Sequence, residues 1–174
     1  MIIQKLSREE CLNFLKKIKF GRLGCVRDKQ PYVVPIYFVA DEKHIYGFTT
    51  LGQKIRWMRE NPLVCVEADE VIDHLHWTSV VVLGKYEELR DEFSSSGLRE
   101  YALELLQHRT MWWQPAVVTT RESETAGTPP HIFYRISIDE ISGHRAGPDS
   151  LAKPMPQPLE LRVKSTLQAP VTIE

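Results

Sequence analysis

The stretch Phe48-Thr49-Thr50-Leu51-Gly52-Gln53-Lys54 ends an apolar run and begins a short helical pattern. Two hydroxyls, a glycine, an amide and a lysine therefore fall together at a predicted strand-to-helix junction. The first N–H groups of a helix have no acceptor within the helix, and the helix dipole makes this end positive. Because both features favour an anion, the sequence predicts a phosphate-binding turn.

The segments on either side of this turn predict one strand and one helix. Residues 44–50 form the strand pattern, and residues 52–60 form the helical pattern. The helix ends at Asn61 and Pro62, which together are a common helix stop. Taken alone, the turn also fits a solvated surface lysine preceded by two ordinary β-branched strand residues.

An earlier strand, residues 32–39, carries Pro35 in its middle. A proline cannot donate to a sheet ladder, so this strand is predicted to be an edge, a bulge or the rim of a barrel. We expect it to pair as a hairpin with the strand at residues 44–50. That pairing would place residues 35–37 beside residues 48–50.

The rest of the chain predicts further strands and two more helices. Helical patterns cover residues 8–17 and 91–107, and strand patterns cover residues 20–27, 63–67, 77–89, 132–138 and 141–145. Ser7 and Glu10 have the spacing of a capping box before the first helix. Strands joined mostly as meanders indicate a mainly β fold with helices, a six-stranded antiparallel split barrel. We expect one barrel domain at residues 1–147 and a proline-rich extension at residues 148–174.

Length and composition indicate an ordinary globular protein. The chain has 174 residues and a net charge of −1, which argues against a nucleic-acid partner or an anionic membrane surface. No apolar run reaches the roughly 20 residues of a membrane span. The amino terminus does not form a signal-peptide pattern, so we expect a cytoplasmic protein. Cys11, Cys25 and Cys65 lack a paired spacing, which favours free thiols in a reducing compartment.

Several short motifs follow one another in a characteristic order. They are Gly21-Arg22-Leu23-Gly24, Pro31-Tyr32-Val33-Val34-Pro35, Ile45-Tyr46-Gly47-Phe48-Thr49-Thr50, Gly52-Gln53-Lys54, Glu60-Asn61-Pro62-Leu63-Val64-Cys65 and Ser79-Val80-Val81-Val82-Leu83-Gly84-Lys85. In this order they resemble the pyridoxamine 5′-phosphate oxidase-like FMN-binding split-barrel family, in its nitroimidazole-resistance or flavin-nucleotide-binding branch. The resemblance spans residues 6–145 and rests on the order of the motifs, since each one alone is weakly specific.

The resemblance implies a homodimer with two FMN sites at the subunit interface. It implies that hydroxyls at the end of the third strand and a lysine at the start of the next helix hold the flavin phosphate. The matching residues here are Thr49, Thr50 and Lys54, with Phe48 and Gln53 adjacent.

The resemblance also assigns residues to the isoalloxazine ring of the flavin. The matching strand segment consists of Val34, Pro35, Ile36 and Tyr37. Ser79 matches a position that faces the cofactor, and Trp113 is implied to approach the flavin from the partner chain. Trp112 and Trp113 also suit packing in an interface, where tryptophan is enriched.

The implied activity is that of a flavin-dependent oxidoreductase acting on a small planar or nitroaromatic-type substrate. The turn lacks the additional basic residues of the vitamin B6-forming oxidase, and the chain lacks its carboxy-terminal Arg/His segment, so oxidation of pyridoxamine phosphate is not expected. A non-enzymatic module that binds or senses flavin or haem, and a deazaflavin-dependent reductase, are the alternatives. No residue stands out as an acid, base or nucleophile.

His74 and His76 lie in a predicted polar loop at residues 68–76. Alternate histidines share one side of an extended segment, as zinc ligands do, and Asp69 or Asp73 lies close in sequence. No third ligand stands at a diagnostic spacing, so the sequence predicts no metal site.

Overall fold

The computed structural model describes residues 1–90, 96–107 and 131–147. These residues form nine strands and three helices, in the order β1 (Ile2–Lys5), α1 (Arg8–Lys17), β2 (Phe20–Arg27), β3 (Gln30–Tyr37), β4 (Val39–Ala40), β5 (His44–Thr49), α2 (Gln53–Glu60), β6 (Leu63–Val71), β7 (Trp77–Leu89), α3 (Ser96–Gln107), β8 (Ile132–Ser137) and β9 (Glu140–Gly147). Every strand pair is antiparallel. The predicted mainly β fold is confirmed, with nine strands in the described part of the chain instead of six.

The two ends of the sheet come from neighbouring parts of the chain. The hydrogen-bonded order is β3-β2-β6-β7-β8-β5-β4, and β9 pairs with both β7 and β1. Only Phe38 separates β3 from β4, although these strands lie at opposite ends of the order. The sheet must therefore curl round on itself, as the predicted split barrel requires.

β7 is shared by the two halves of the barrel. Its residues 77–83 pair with β9, and its residues 86–89 pair with β8. The change of partner falls at Gly84, where an added Cβ would lie 1.7 Å from the carbonyl oxygen of Ser137. The absence of a side chain at Gly84 thus allows the two halves to approach at this point.

The helices cover and anchor the barrel. α1 buries one face, formed by Cys11, Leu12, Phe14 and Leu15. Ile55 and Met58 of α2 are fully buried in the same core. Because α2 is anchored in this way, the turn before it is held at a defined place on the barrel. α3 contributes to a second apolar cluster that contains Tyr46 and Leu89.

The predicted capping box at the start of α1 is confirmed. Ser7 Oγ accepts a hydrogen bond from the Glu10 N–H at 3.3 Å, and Glu10 Oε2 accepts one from the Ser7 N–H at 2.8 Å. We expect Ser7→Ala to lower the free energy of unfolding by about 1 kcal/mol in urea denaturation. The exposed Asn13 in the same helix is the control, and Asn13→Ala should change it by less than about 0.5 kcal/mol. Equal losses in the two variants would contradict a role for the cap.

The predicted hairpin between the long strand at residues 32–39 and β5 is wrong. β3 pairs along its whole length with β2, and only the short β4 pairs with β5. The β2–β3 register runs without interruption, so Pro35 lies on an edge strand and not in a bulge. An edge strand is a position where a sheet tolerates proline. Residues 35–37 and 48–50 therefore share no ladder.

Two further differences have simple physical causes. β1 was not predicted, because its four residues are all exposed and show no alternation. β6 continues to Val71, into the predicted loop, because alternate charged side chains point outward from a regular strand. α3 is described only from Ser96 onward. Trp112, Trp113 and the extension at residues 148–174 lie outside the described residues.

Candidate functional site

The turn between β5 and α2 exposes the amino-terminal end of a helix. Gly52 is the N-cap residue in an extended conformation, and no side chain caps the helix. The first intrahelical bond runs from the Arg56 N–H to the Gly52 carbonyl at 3.2 Å. The N–H groups of the first turn are thus without intrahelical acceptors, and no acidic residue occupies that turn. By contrast, α1 has both a side-chain cap and two acidic residues in its first turn.

Lys54 lies in this first turn and is half-buried. Burial lowers the pKa of its ammonium group, and the Cys25 thiol is the one group that counteracts this effect. Burial also raises the pKa of the Cys25 thiol, so the thiol stays neutral near pH 7 and does not balance the lysine. None of the ion pairs in the described ranges includes Lys54. A half-buried cation without a carboxylate partner favours an anionic ligand.

The structure brings the predicted phosphate residues together in one turn. Thr49 is half-buried at the end of β5, whereas Thr50 and Gln53 are exposed beside it. Phe48 is half-buried, and its ring lies 5.8 Å from the ring of Phe133 on the neighbouring strand. Two hydroxyls and one ammonium group are therefore available at the uncapped end of α2.

The predicted ring-binding segment divides between the two faces of β3. Val34 and Ile36 pack against the core, and Pro35 and Tyr37 alternate with them and point outward. Tyr37 makes an edge-to-face contact with Phe20, with ring centroids 5.1 Å apart. Only Pro35 and Tyr37 are thus placed to meet a ligand on the outward face. Trp113 lies outside the described residues.

A charged network occupies the same outward face. Arg22 Nη1 donates to Glu67 Oε2 at 2.9 Å and also forms an ion pair with Asp69. Ser79 Oγ donates to Glu67 Oε1 at 3.1 Å, so Ser79 belongs to this network. The sequence predicts neither Arg22 nor Glu67 as a site residue, and it offers Asp69 only as a neighbour of the two histidines. Arg22 is 45 residues from Glu67 and 47 from Asp69, and only the register of β2 with β6 brings them together.

An apolar groove lies next to this network. Strand register places Val33, Gly24, Cys65 and Leu83 in one row across four strands. Val33 and Leu83 expose 63% and 46% of their surfaces, and Leu63 beside them exposes 60%. The groove has a volume of about 500 Å³. Exposed apolar surface of this kind is typical of an interface.

The split-barrel fold agrees with a comparison of sequences. The sequence model of the family described as pyridoxamine 5′-phosphate oxidase matches residues 7–145. The chain belongs to the pyridoxamine 5′-phosphate oxidase family. The family predicted from the order of the motifs is therefore confirmed.

Other members and structures agree with this placement in the pyridoxamine 5′-phosphate oxidase family. An uncharacterized protein of Rhizobium meliloti is 38% identical over 146 residues, which are 84% of this chain and 97% of the relative. The crystal structure of an FAD-binding protein from Mesorhizobium loti is 41% identical, covers 84% of this chain and 100% of its own, and has a TM-score of 0.70. A putative 5-nitroimidazole antibiotic resistance protein from Bacteroides thetaiotaomicron shares the fold, with 15% identity, a TM-score of 0.58, and coverage of 83% of this chain and 89% of its own.

His76 has a structural role in the β6–β7 turn of this member of the family. His76 Nδ1 lies 2.8 Å from Asp73 Oδ2, and the pair closes the turn. No group of three or more candidate metal ligands occurs among the residues that the structure describes.

Cys11, Cys25 and Cys65 are free thiols. Within the same ranges, no helix is both long and apolar enough to cross a membrane.

Proposed function

We propose that this protein binds FMN through the turn between β5 and α2 and works as a flavin-dependent oxidoreductase. The observation that carries the proposal is Lys54, a half-buried cation without a carboxylate partner among the described residues, at a helix start without a cap. A phosphate would supply the missing negative charge and accept hydrogen bonds from the free N–H groups. The hydroxyls of Thr49 and Thr50 would add two donors.

The outward face of β3 offers a wall for the flavin ring. Pro35 and Tyr37 lie on the edge strand, and Ser79 lies on the same outward face, three strands away. A flavin needs an apolar slot with a few polar groups at its edge. A bound flavin supplies electron transfer, and the residues of this chain hold it, orient it and exclude water. We keep the proposal that Trp113 of a partner chain approaches the flavin, and its support is the family resemblance alone.

We further propose a homodimer in which a second copy of the chain covers the apolar groove. The exposed row around Cys65 spans four strands, and a symmetric dimer buries such a surface against its own copy. The neighbouring network around Arg22 would then lie at the interface, next to the flavin.

We expect Leu63→Glu to convert the dimer into a monomer. Leu63 is 60% exposed in one chain, so a charge there is tolerated by the fold but not by a dry interface. Light scattering should give twice the 20.1 kDa mass of one chain for the wild type and the single mass for the variant. Ile72→Glu is the control, because Ile72 is 76% exposed and lies outside the groove. A Leu63→Glu variant that stays dimeric would place the interface elsewhere.

Extraction of the native chromophore and measurement of its mass tests the identity of the cofactor. FMN is the expected result. The solved relative from Mesorhizobium loti is described as binding FAD. Finding FAD here would leave the proposed phosphate-binding role of the turn in place but would contradict FMN as the cofactor. Haem or a deazaflavin would replace the flavin, and protein that neither carries flavin nor quenches added FMN would overturn the proposal.

The reaction is tested separately from binding. Anaerobic mixing of the FMN-loaded protein with NADH or NADPH should bleach the flavin absorbance, and a planar nitroaromatic acceptor should restore it. Bound FMN that neither nucleotide reduces would favour a non-enzymatic flavin-binding module.

We also propose that the protein is cytoplasmic, where its three free thiols would stay reduced.

A further inference from the structure

We infer that Ser79 acts as a hydrogen-bond acceptor for an N–H group of the ligand, and that Arg22 and Glu67 impose this polarity. The inference rests on the proposed function, since the ligand is taken to be a flavin. Ser79 already matches a cofactor-facing position, and the new elements are the polarity of its hydrogen bond and the orientation of the ring.

The direction of the Ser79 hydrogen bond follows from its partner. Glu67 Oε2 accepts from the Arg22 guanidinium at 2.9 Å, and Glu67 Oε1 lies 3.1 Å from Ser79 Oγ. Glu67 forms an ion pair with Arg22, and a carboxylate only accepts hydrogen bonds. A hydroxyl has one proton to donate. The hydroxyl proton of Ser79 is therefore engaged in the hydrogen bond to Glu67. Only the lone pairs of Ser79 Oγ remain for a ligand on the outward face.

The same network controls which end of a flavin fits here. The register places Pro35, Arg22 and Glu67 in one row across β3, β2 and β6, and Ser79 continues the outward face on β7. Arg22 is shared by Glu67 and Asp69, so the cluster of these three residues has a net charge of −1. A phosphate is repelled by this charge. The phosphate would thus stay at Lys54, and the neutral ring would face the cluster.

The isoalloxazine ring has one edge that suits such an acceptor. Its pyrimidine edge carries a single N–H, at N3, between two carbonyl oxygens. An acceptor-only Ser79 pairs with N3–H and not with either carbonyl. The N3–H is present in both the oxidised and the two-electron-reduced flavin, so the bond would be kept through turnover.

A flavin analogue without the N–H tests this inference. After removal of its flavin, the wild-type protein should bind FMN about tenfold more tightly than 3-methyl-FMN. Quenching of flavin fluorescence measures both affinities. Ser79→Ala should reduce this preference to about twofold or less, because the acceptor is gone and the methyl group has room. Glu67→Gln should also reduce it, because a glutamine amide can donate to Ser79 and free the hydroxyl proton to point at the ligand.

The variant Lys54→Met serves as the matched control. It should weaken FMN and 3-methyl-FMN by the same factor and leave the tenfold preference unchanged, since it affects only the phosphate. Equal affinity of the wild type for the two flavins overturns the inference while the proposed function stands. A Ser79→Ala variant that keeps the preference also overturns it, because the methyl group would then act by size alone. Failure of the wild type to bind either flavin overturns the proposed function as well.

Discussion

Lys54→Met is expected to weaken FMN binding by about ten- to one-hundredfold, with riboflavin binding within about twofold of the wild type. The reason is that riboflavin lacks the phosphate, and Lys54 is the half-buried cation at the uncapped start of α2. Fluorescence titration of both flavins gives the comparison. Lys19→Met, at an exposed lysine between α1 and β2, is the control and should change neither affinity. Equal losses for FMN and riboflavin in Lys54→Met would remove Lys54 from the phosphate site.

The same substitution should stabilise the protein in the absence of flavin. Burial lowers the pKa of Lys54, so between this lowered pKa and the ordinary value of about 10.4 the folded chain binds fewer protons than the unfolded chain. The contribution of Lys54 to the free energy of unfolding should therefore rise with pH through this window. Below the window, the buried charge destabilises the fold by a constant amount.

Lys54→Met removes both the charge and this pH dependence. Thermal unfolding should show a higher Tm for the flavin-free variant than for the flavin-free wild type, and the order should reverse at saturating FMN. A lysine with a purely structural role would give a lower Tm in both conditions. The comparison thus separates a residue kept for binding from one kept for stability.

Gly84→Ala is expected to lower the free energy of unfolding by more than about 3 kcal/mol. The new Cβ would meet the Ser137 carbonyl oxygen at 1.7 Å and the Ile136 side chain at 3.2 Å. A backbone oxygen cannot turn aside as a flexible side chain can, so β8 must move away from β7. Urea denaturation measures the loss.

Gly147→Ala is the matched control for this prediction. Gly147 also lies in a strand, but an added Cβ would meet nothing within 4 Å. Its free energy of unfolding should change by less than about 0.5 kcal/mol. A Gly84→Ala protein as stable as this control would show that the two halves of the barrel are not joined at Gly84.

Patterns of local origin were predictable from the sequence. The capping box, the bounds of α1 and β2, and the end of α2 at Asn61 depend on neighbours within a few residues, and all agree with the structure. The phosphate turn is local too, because it is a strand end followed directly by a helix start. Its assignment to a flavin was a matter of family resemblance, and its occupancy stays a prediction.

Pairing between distant strands was not predictable in this way. An alternating pattern states which residues share a face, but it does not state which strand lies beside it. For this reason the sequence suggested that the strand around Pro35 pairs with β5, whereas it pairs with β2.

Sequence alone was enough to predict a strand-to-helix turn at residues 49–53 and a mainly β barrel, because turns, caps and strand patterns are short-range properties. The tertiary structure decided that Lys54 is half-buried without a carboxylate partner in the described chain, and that Arg22, Glu67 and Ser79 form one network on the outward face. Burial and charge pairing are set by residues that are far apart in sequence. They become defined only when the register of β2, β6 and β7 is fixed.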